Sequence, residues 1–136
     1  MAGFNDYLEN AILNQILGGV QYTAPSTLYI GLSTGTILDN ASGCVEPSTV
    51  NTGYNRVAIS NDSTSFATTS TGTKSNLKSV TFPQSLTDWG IVTDFAIFDE
   101  NTNGNLLMSG KLLHSKTVEV SDILSFGIGQ LIVTLD

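Results

Sequence analysis

Six consecutive residues, Asp99-Glu100-Asn101-Thr102-Asn103-Gly104, are the first candidates for chemistry in this chain. They match D-x-N-x-N-G, the opening of a calcium loop in which oxygens at alternate positions converge on the ion. Here those positions are Asp99, Asn101 and Asn103. The twelfth position of such a loop calls for a bidentate glutamate, and Gly110 stands there. The flanks also read as strands where that loop has helices. A hairpin turn needs the same residue types for backbone reasons alone, since Asn and Gly tolerate positive φ. The turn is the leading reading, and calcium at Asp99, Asn101 and Asn103 is the weaker one.

The remaining reactive side chains assemble no catalytic pattern. His114 is the only histidine, between Leu113 and Ser115 where a strand gives way to a loop, and no G-x-S-x-G elbow selects a serine to pair with it. Cys44 lies in a polar loop with no histidine near in sequence, which argues against a catalytic thiol. Asp88, Asp94 and Asp99 share one segment. Asp94 and Asp99 are five residues apart, so one regular strand would point them to opposite faces, unlike a glycosidase pair. The glycines sit at turns, so no phosphate-cradling loop is expected. The sequence predicts no catalytic residue and no cofactor.

The elements that position these residues centre on Thr81 to Leu113. Ile91 to Phe98 is rich in β-branched and aromatic residues and predicts a strand buried on one face and partly covered on the other. Asn103-Gly104 marks the hairpin tip, and Leu106, Met108 and Leu112 bring the return strand to the core. Asp88-Trp89-Gly90 offers a corner, with the Trp89 ring over the end of the fold. Thr27 to Thr34 alternates, with Leu28, Ile30 and Leu32 inward. Tyr54 to Ser60 puts Val57 and Ile59 inward and Arg56 outward. Residues 61–76 read either as a short edge strand or as a loose β-ribbon around Phe66. Leu77 to Phe82, Lys116 to Val120, Ile123 to Ile128 and Leu131 to Leu135 complete the set of strands.

One helix is expected at the start. Asn5 is a good N-cap, Asp6 and Glu9 suit the first turn, and Gly18-Gly19 ends the helix. Tyr7, Leu8, Ala11, Ile12 and Ile16 form an apolar stripe that Leu13 and Leu17 widen. Such a helix either folds back on its own sandwich or docks on a neighbour. Tyr7, Leu8, Ile12, Leu13, Ile16 and Leu17 are the candidate assembly interface. The pattern predicts an all-β chain, a single-domain antiparallel β-sandwich of jelly-roll-like type with one N-terminal α-helix. Residues 1–19 form the docking helix and 20–136 the sandwich. Loops 35–53, 61–76 and 99–105 are the expected partner-facing tips.

Charge narrows the partners. Twelve acidic residues against five basic ones give a net charge of −7, with no basic stripe to neutralise phosphates or meet an anionic bilayer. Nucleic acid and membrane are therefore not expected. The first residues lack a basic n-region, so no signal peptide is read there. With one cysteine, no intrachain disulfide can form, which suits folding in a reducing cytoplasm.

Four blocks, LYIGLST (28–34), GYNRVAI (53–59), TFPQSLTDWGIVTDFAIFDENTNGNLLMSGKL (81–112) and KTVEVSDILSFGIGQLIVTLD (116–136), resemble a family of small virion proteins of tailed bacteriophages described as tail fibre proteins. The resemblance spans most of the chain apart from stretches around 35–52 and 61–76. It implies a non-enzymatic virion surface protein that is a homo-oligomer with other virion proteins as partners. A tail-fibre or baseplate-type appendage is favoured over a capsid decoration protein. Where relatives often carry glycine, this chain has Ala96 and Ser121. A rival reading is a carbohydrate-binding module for a host-surface glycan, with Trp89, Tyr54, Tyr22 and Tyr29 as stacking faces.

Overall fold

The computed structural model describes residues 2–135 and shows an antiparallel β-sandwich with one helix. Its larger sheet has the order β1-β7-β6-β2-β3, built from β1 (Gly3–Phe4), β2 (Thr27–Ser33), β3 (Val57–Ser60), β6 (Gly90–Phe98) and β7 (Leu106–Val118). The facing layer is two short pairs, β4 (Thr73–Ser75) with β9 (Ile132–Thr134), and β5 (Val80–Thr81) with β8 (Ser125–Phe126). Leu28, Ile30 and Leu32 of β2 meet Val80, Phe82, Phe126 and Leu131 across the shared interior. Alternation in β2 therefore turns inward as its sequence predicts.

Arrangement of the central hairpin differs from expectation in its return strand. β7 is one continuous strand to Val118, where a break before Lys116 was expected. Antiparallel pairing with β6 supplies the ladder that the sequence around His114 does not advertise. The register jumps from Val92↔Lys116 to Asp94↔Lys111, so β7 carries the surplus residues as a large bulge. A second shift, between Ile97 and Phe98, places Leu107 in the core. Leu106 instead joins Ala96 and Phe98 on the opposite face, so the expected Leu106–Met108 pairing of inward residues gives way to Leu107. The later strands are also shorter than expected, reduced to Ser125–Phe126 and Ile132–Thr134. Residues 61–76 resolve as the short edge strand β4, with Phe66 bridged to Asn76.

The helix α1 (Asp6–Gly18) is inserted between two strands of the same sheet, because β1 precedes it and pairs with Met108 and Ser109. Ala2 bridges Val133, so the chain start ties both layers together. A Cβ on Gly110 would collide with Ala2, which explains glycine at this close approach. Asn5 precedes the helix but does not cap it through its side chain. Its Nδ2 donates instead to the carbonyls of Leu38 and Asp39, each at 3.1 Å, and anchors the 35–53 loop. Gly19 ends the helix in the left-handed conformation (φ 68°).

The corner expected at Asp88-Trp89-Gly90 is held by Ser85, buried beneath the 119–122 turn. Its hydroxyl donates to the Glu119 carbonyl and accepts from Asp122 N–H at 2.9 Å. Ser121 sits in that turn at φ 69°, a left-handed geometry unfavourable to any residue with a Cβ. Its backbone alone makes the contacts, to Ser85 and Gln84. Ser121→Gly should therefore stabilise the protein by about 1 kcal/mol, read as a rise in the urea midpoint at unchanged slope. No gain, or a loss, would mean that the turn is not strained at this residue.

Candidate functional site

Each residue that could do chemistry is committed to a structural contact. Asp99 locks the hairpin turn, accepting from Asn105 N–H at 2.7 Å and from Asn105 Nδ2 at 2.9 Å. Asn103 and Gly104 take the positive φ values that a tight turn demands. The Glu100 and Asn103 carbonyls, which a bound cation would need, each accept from Arg56 Nη1 at 2.8 Å. Asp88, Asp94 and Asp122 accept from the backbone N–H groups of Val120, Ile37 and Glu119. Asp94 is buried in β6 while Asp99 lies in the turn, so the two do not face one substrate. Among the described residues, no group of three or more His, Cys, Asp or Glu side chains is placed to hold a metal.

Arg56 departs from its expected outward setting. It lies on the outer face of β3 as its parity requires, but its side chain is only 8% exposed. The guanidinium pairs with Glu46 through Nη2–Oε2 (2.7 Å) and Nε–Oε1 (3.0 Å), and its Cζ stands 3.4 Å above the Phe98 ring. Glu46 also accepts from the Tyr54 hydroxyl at 2.6 Å, and that hydroxyl accepts from Leu32 N–H at 3.0 Å. Burial and the adjacent Glu46 push the Tyr54 phenol well above its ordinary pKa. The 35–53 loop is therefore strapped over the second face of β6, which covers that face as the sequence led us to expect. Cys44 is half-buried under this loop, and burial together with Glu46 raises its thiol pKa, keeping it protonated and a poor nucleophile.

The aromatic faces proposed for sugar stacking are largely occupied. Tyr54 is buried against Phe82 and, edge-on, against Trp89 at 5.3 Å between centroids. Trp89 is itself buried and donates Nε1–H to the Thr52 carbonyl at 2.9 Å, covering the end of the sandwich. Tyr22 and Tyr29 are half-buried and pack against separate clusters. No shared platform forms.

Surfaces suited to assembly lie elsewhere. On α1 only Leu8 is buried, with Ile12 partly packed against the core. Leu13, Ile16 and Leu17 are exposed, Leu17 to 80%. Tyr7 is exposed too. The first turn is thus anchored and the last two turns present bare apolar side chains. A groove of about 1110 Å³ opens on the other part of the molecule, between β7 and the layer of β8 and β9. Phe95 and Phe126 are among its lining residues, with ring centroids 6.1 Å apart. Leu113, 92% exposed in the β7 bulge, stands at its edge beside exposed His114. Sequence reasoning identified the helix stripe and missed the groove, whose walls come from segments that meet only in three dimensions.

Residues 3–134 match the sequence profile of a family described as podophage GP4 fiber I protein gp80. The chain belongs to this family of phage fibre proteins. Membership implies a virion component, and it accords with a site list made of turns, straps and bare apolar faces. No curated protein matches the chain. The match of this gp80-family chain covers both the strapped loop and the helix, so α1 and the 35–53 loop belong to the family's common extent. No helix among the described residues is long and apolar enough to cross a membrane.

Proposed function

We propose that this protein is a non-enzymatic structural subunit of a tail-fibre or baseplate-type appendage, assembled through α1 with further copies and other virion proteins. The observation that carries the reading is the exposed apolar run of Leu13, Ile16 and Leu17 on a helix whose first turn is fixed in the sandwich. Contiguous apolar surface of this kind marks an assembly contact on an otherwise polar protein. The non-enzymatic reading is supported by the aspartates, whose carboxylates hold backbone turns and straps.

Electron microscopy of intact particles with a gold-labelled antibody to this chain tests the location. Label on the tail is the expected result. Label on the shell lattice would instead make it a capsid decoration protein, and unlabelled particles would remove it from the virion altogether. The host-glycan reading has its own test, a glycan array, on which the isolated chain is expected to give no hits.

A further inference from the structure

We propose that the groove along β7 receives the C-terminal half of α1 from a second copy of this chain. Each surface has what the other lacks. The helix offers Leu13, Ile16 and Leu17 without cover, and the groove offers Leu113, Ile123 and Ile132 around Phe95 and Phe126. The groove volume of 1110 Å³ exceeds the roughly 850 Å³ of a two-turn helical cylinder 10 Å across.

Charge favours the same pairing. The groove is bordered by Lys111 and Lys116, two of the five basic residues of a chain with net charge −7. Asp122, the one acid among its lining residues, already accepts from Glu119 N–H at 2.8 Å. Among the described residues the ion pair formed is Arg56–Glu46, so both lysines remain available. The helix carries Asp6 and Glu9 and no basic residue, and its last turn leaves the negative end of the helix dipole without a cation. Lysines at the groove rim supply that cation.

The open edge of β7 invites a strand as well, but its geometry disfavours one. β1 pairs with β7 only at Met108 and Ser109. Between Lys111 and Lys116 the bulge breaks the regular spacing that an added strand would need to follow. A helix makes no demand on that ladder. The copy's own α1 cannot reach this groove. It is fixed beside the Leu107 end of β7 by Leu8, by Asn5 N–H to Leu107 O and by Asp6 N–H to Asp39 O, both at 2.9 Å. The groove flanks the other end of a strand about 43 Å long at ordinary rise. Contact between two different surfaces is heterologous, and it propagates head to tail into a ring or a filament.

This inference rests on the docking role proposed for α1, and the test separates the two. Sedimentation velocity on the full chain over a concentration series should show association. Leu17→Asp and Leu113→Asp should each weaken it by about 100-fold or more, because each buries a carboxylate in an apolar contact. An equimolar mixture of the two variants should give a dimer and nothing larger, since each keeps the surface that the other has lost. Association lost in Leu17→Asp and kept in Leu113→Asp would overturn the groove and leave α1 as the docking element. Association kept in Leu17→Asp and lost in Leu113→Asp would overturn the helix as occupant and point to strand addition. A wild-type chain that stays monomeric throughout would overturn docking between copies. Both side chains are exposed, so far-UV circular dichroism should be unchanged. If either variant fails to fold, Ile16→Asp and Ile123→Asp replace them with the same expected pattern.

Discussion

Arg56→Ala should lower the unfolding free energy by about 3 kcal/mol, a fall of roughly 10 °C in Tm for a domain of this size. One guanidinium joins three separate parts of the chain. It pairs with Glu46 of the strapped loop, donates to the Glu100 and Asn103 carbonyls of the hairpin turn, and stacks on Phe98 of β6. Removing it leaves Glu46, whose side chain is 23% exposed, with the Tyr54 hydroxyl as its remaining donor. An exposed ion pair contributes about 1 kcal/mol or less, so the larger figure depends on this burial. Arg56→Lys should recover less than half, because an ammonium cannot reproduce the fork to Glu46 and the two carbonyl contacts together. A double-mutant cycle with Glu46→Ala, followed by urea unfolding, should give a coupling of about 2 kcal/mol. A loss under about 1 kcal/mol for Arg56→Ala would show that the strap contributes no more than a surface pair.

Asn76→Ala should cost a comparable amount, about 3 kcal/mol. Asn76 is fully buried where the end of β4 passes the 127–131 turn. Its Nδ2 donates to the carbonyls of Lys78 (2.8 Å) and Gly127 (3.0 Å), and its Oδ1 accepts from Leu131 N–H (2.9 Å). Truncation strips three backbone groups of their partners, each costing about 1 kcal/mol when buried. N76D gives a pH-dependent check. Burial raises the folded pKa of the introduced acid above its unfolded value of about 3.9, so relative stability is greater at low pH and falls as pH rises through the folded value. A variant whose stability deficit is the same at acid and neutral pH would place the side chain in solvent.

Much of the fold was legible because it rests on local pattern. Leu28, Ile30 and Leu32 alternate, Asn103-Gly104 announces its turn, and Gly18-Gly19 ends the helix where the structure ends it. The misses have one cause, which is that a distant partner decides the outcome. Gly3 and Phe4 show no period, and become a strand only because β7 lies beside them. His114 and Ser115 look like loop residues, but lie within a strand whose ladder comes from β6. Arg56 has outward parity, yet Glu46 and Phe98 cover it. Asn5 fits the profile of a cap, and its amide goes instead to a loop more than thirty residues away. The exposed helix face was readable as a stripe wider than one contact needs. The groove was not, since Phe95, Leu113, Phe126 and Ile132 share no sequence motif.

The placement of α1 between β1 and β2 has a mechanical consequence. An element hung from a chain terminus can be peeled away one residue at a time. Here a tensile load on the helix enters the larger sheet by two covalent routes, through Phe4 on one side and Thr27 on the other. The β1 route reaches β7 at the sheet's flank and the β2 route its interior, so the pull is divided between two ladders rather than concentrated on a frayed end.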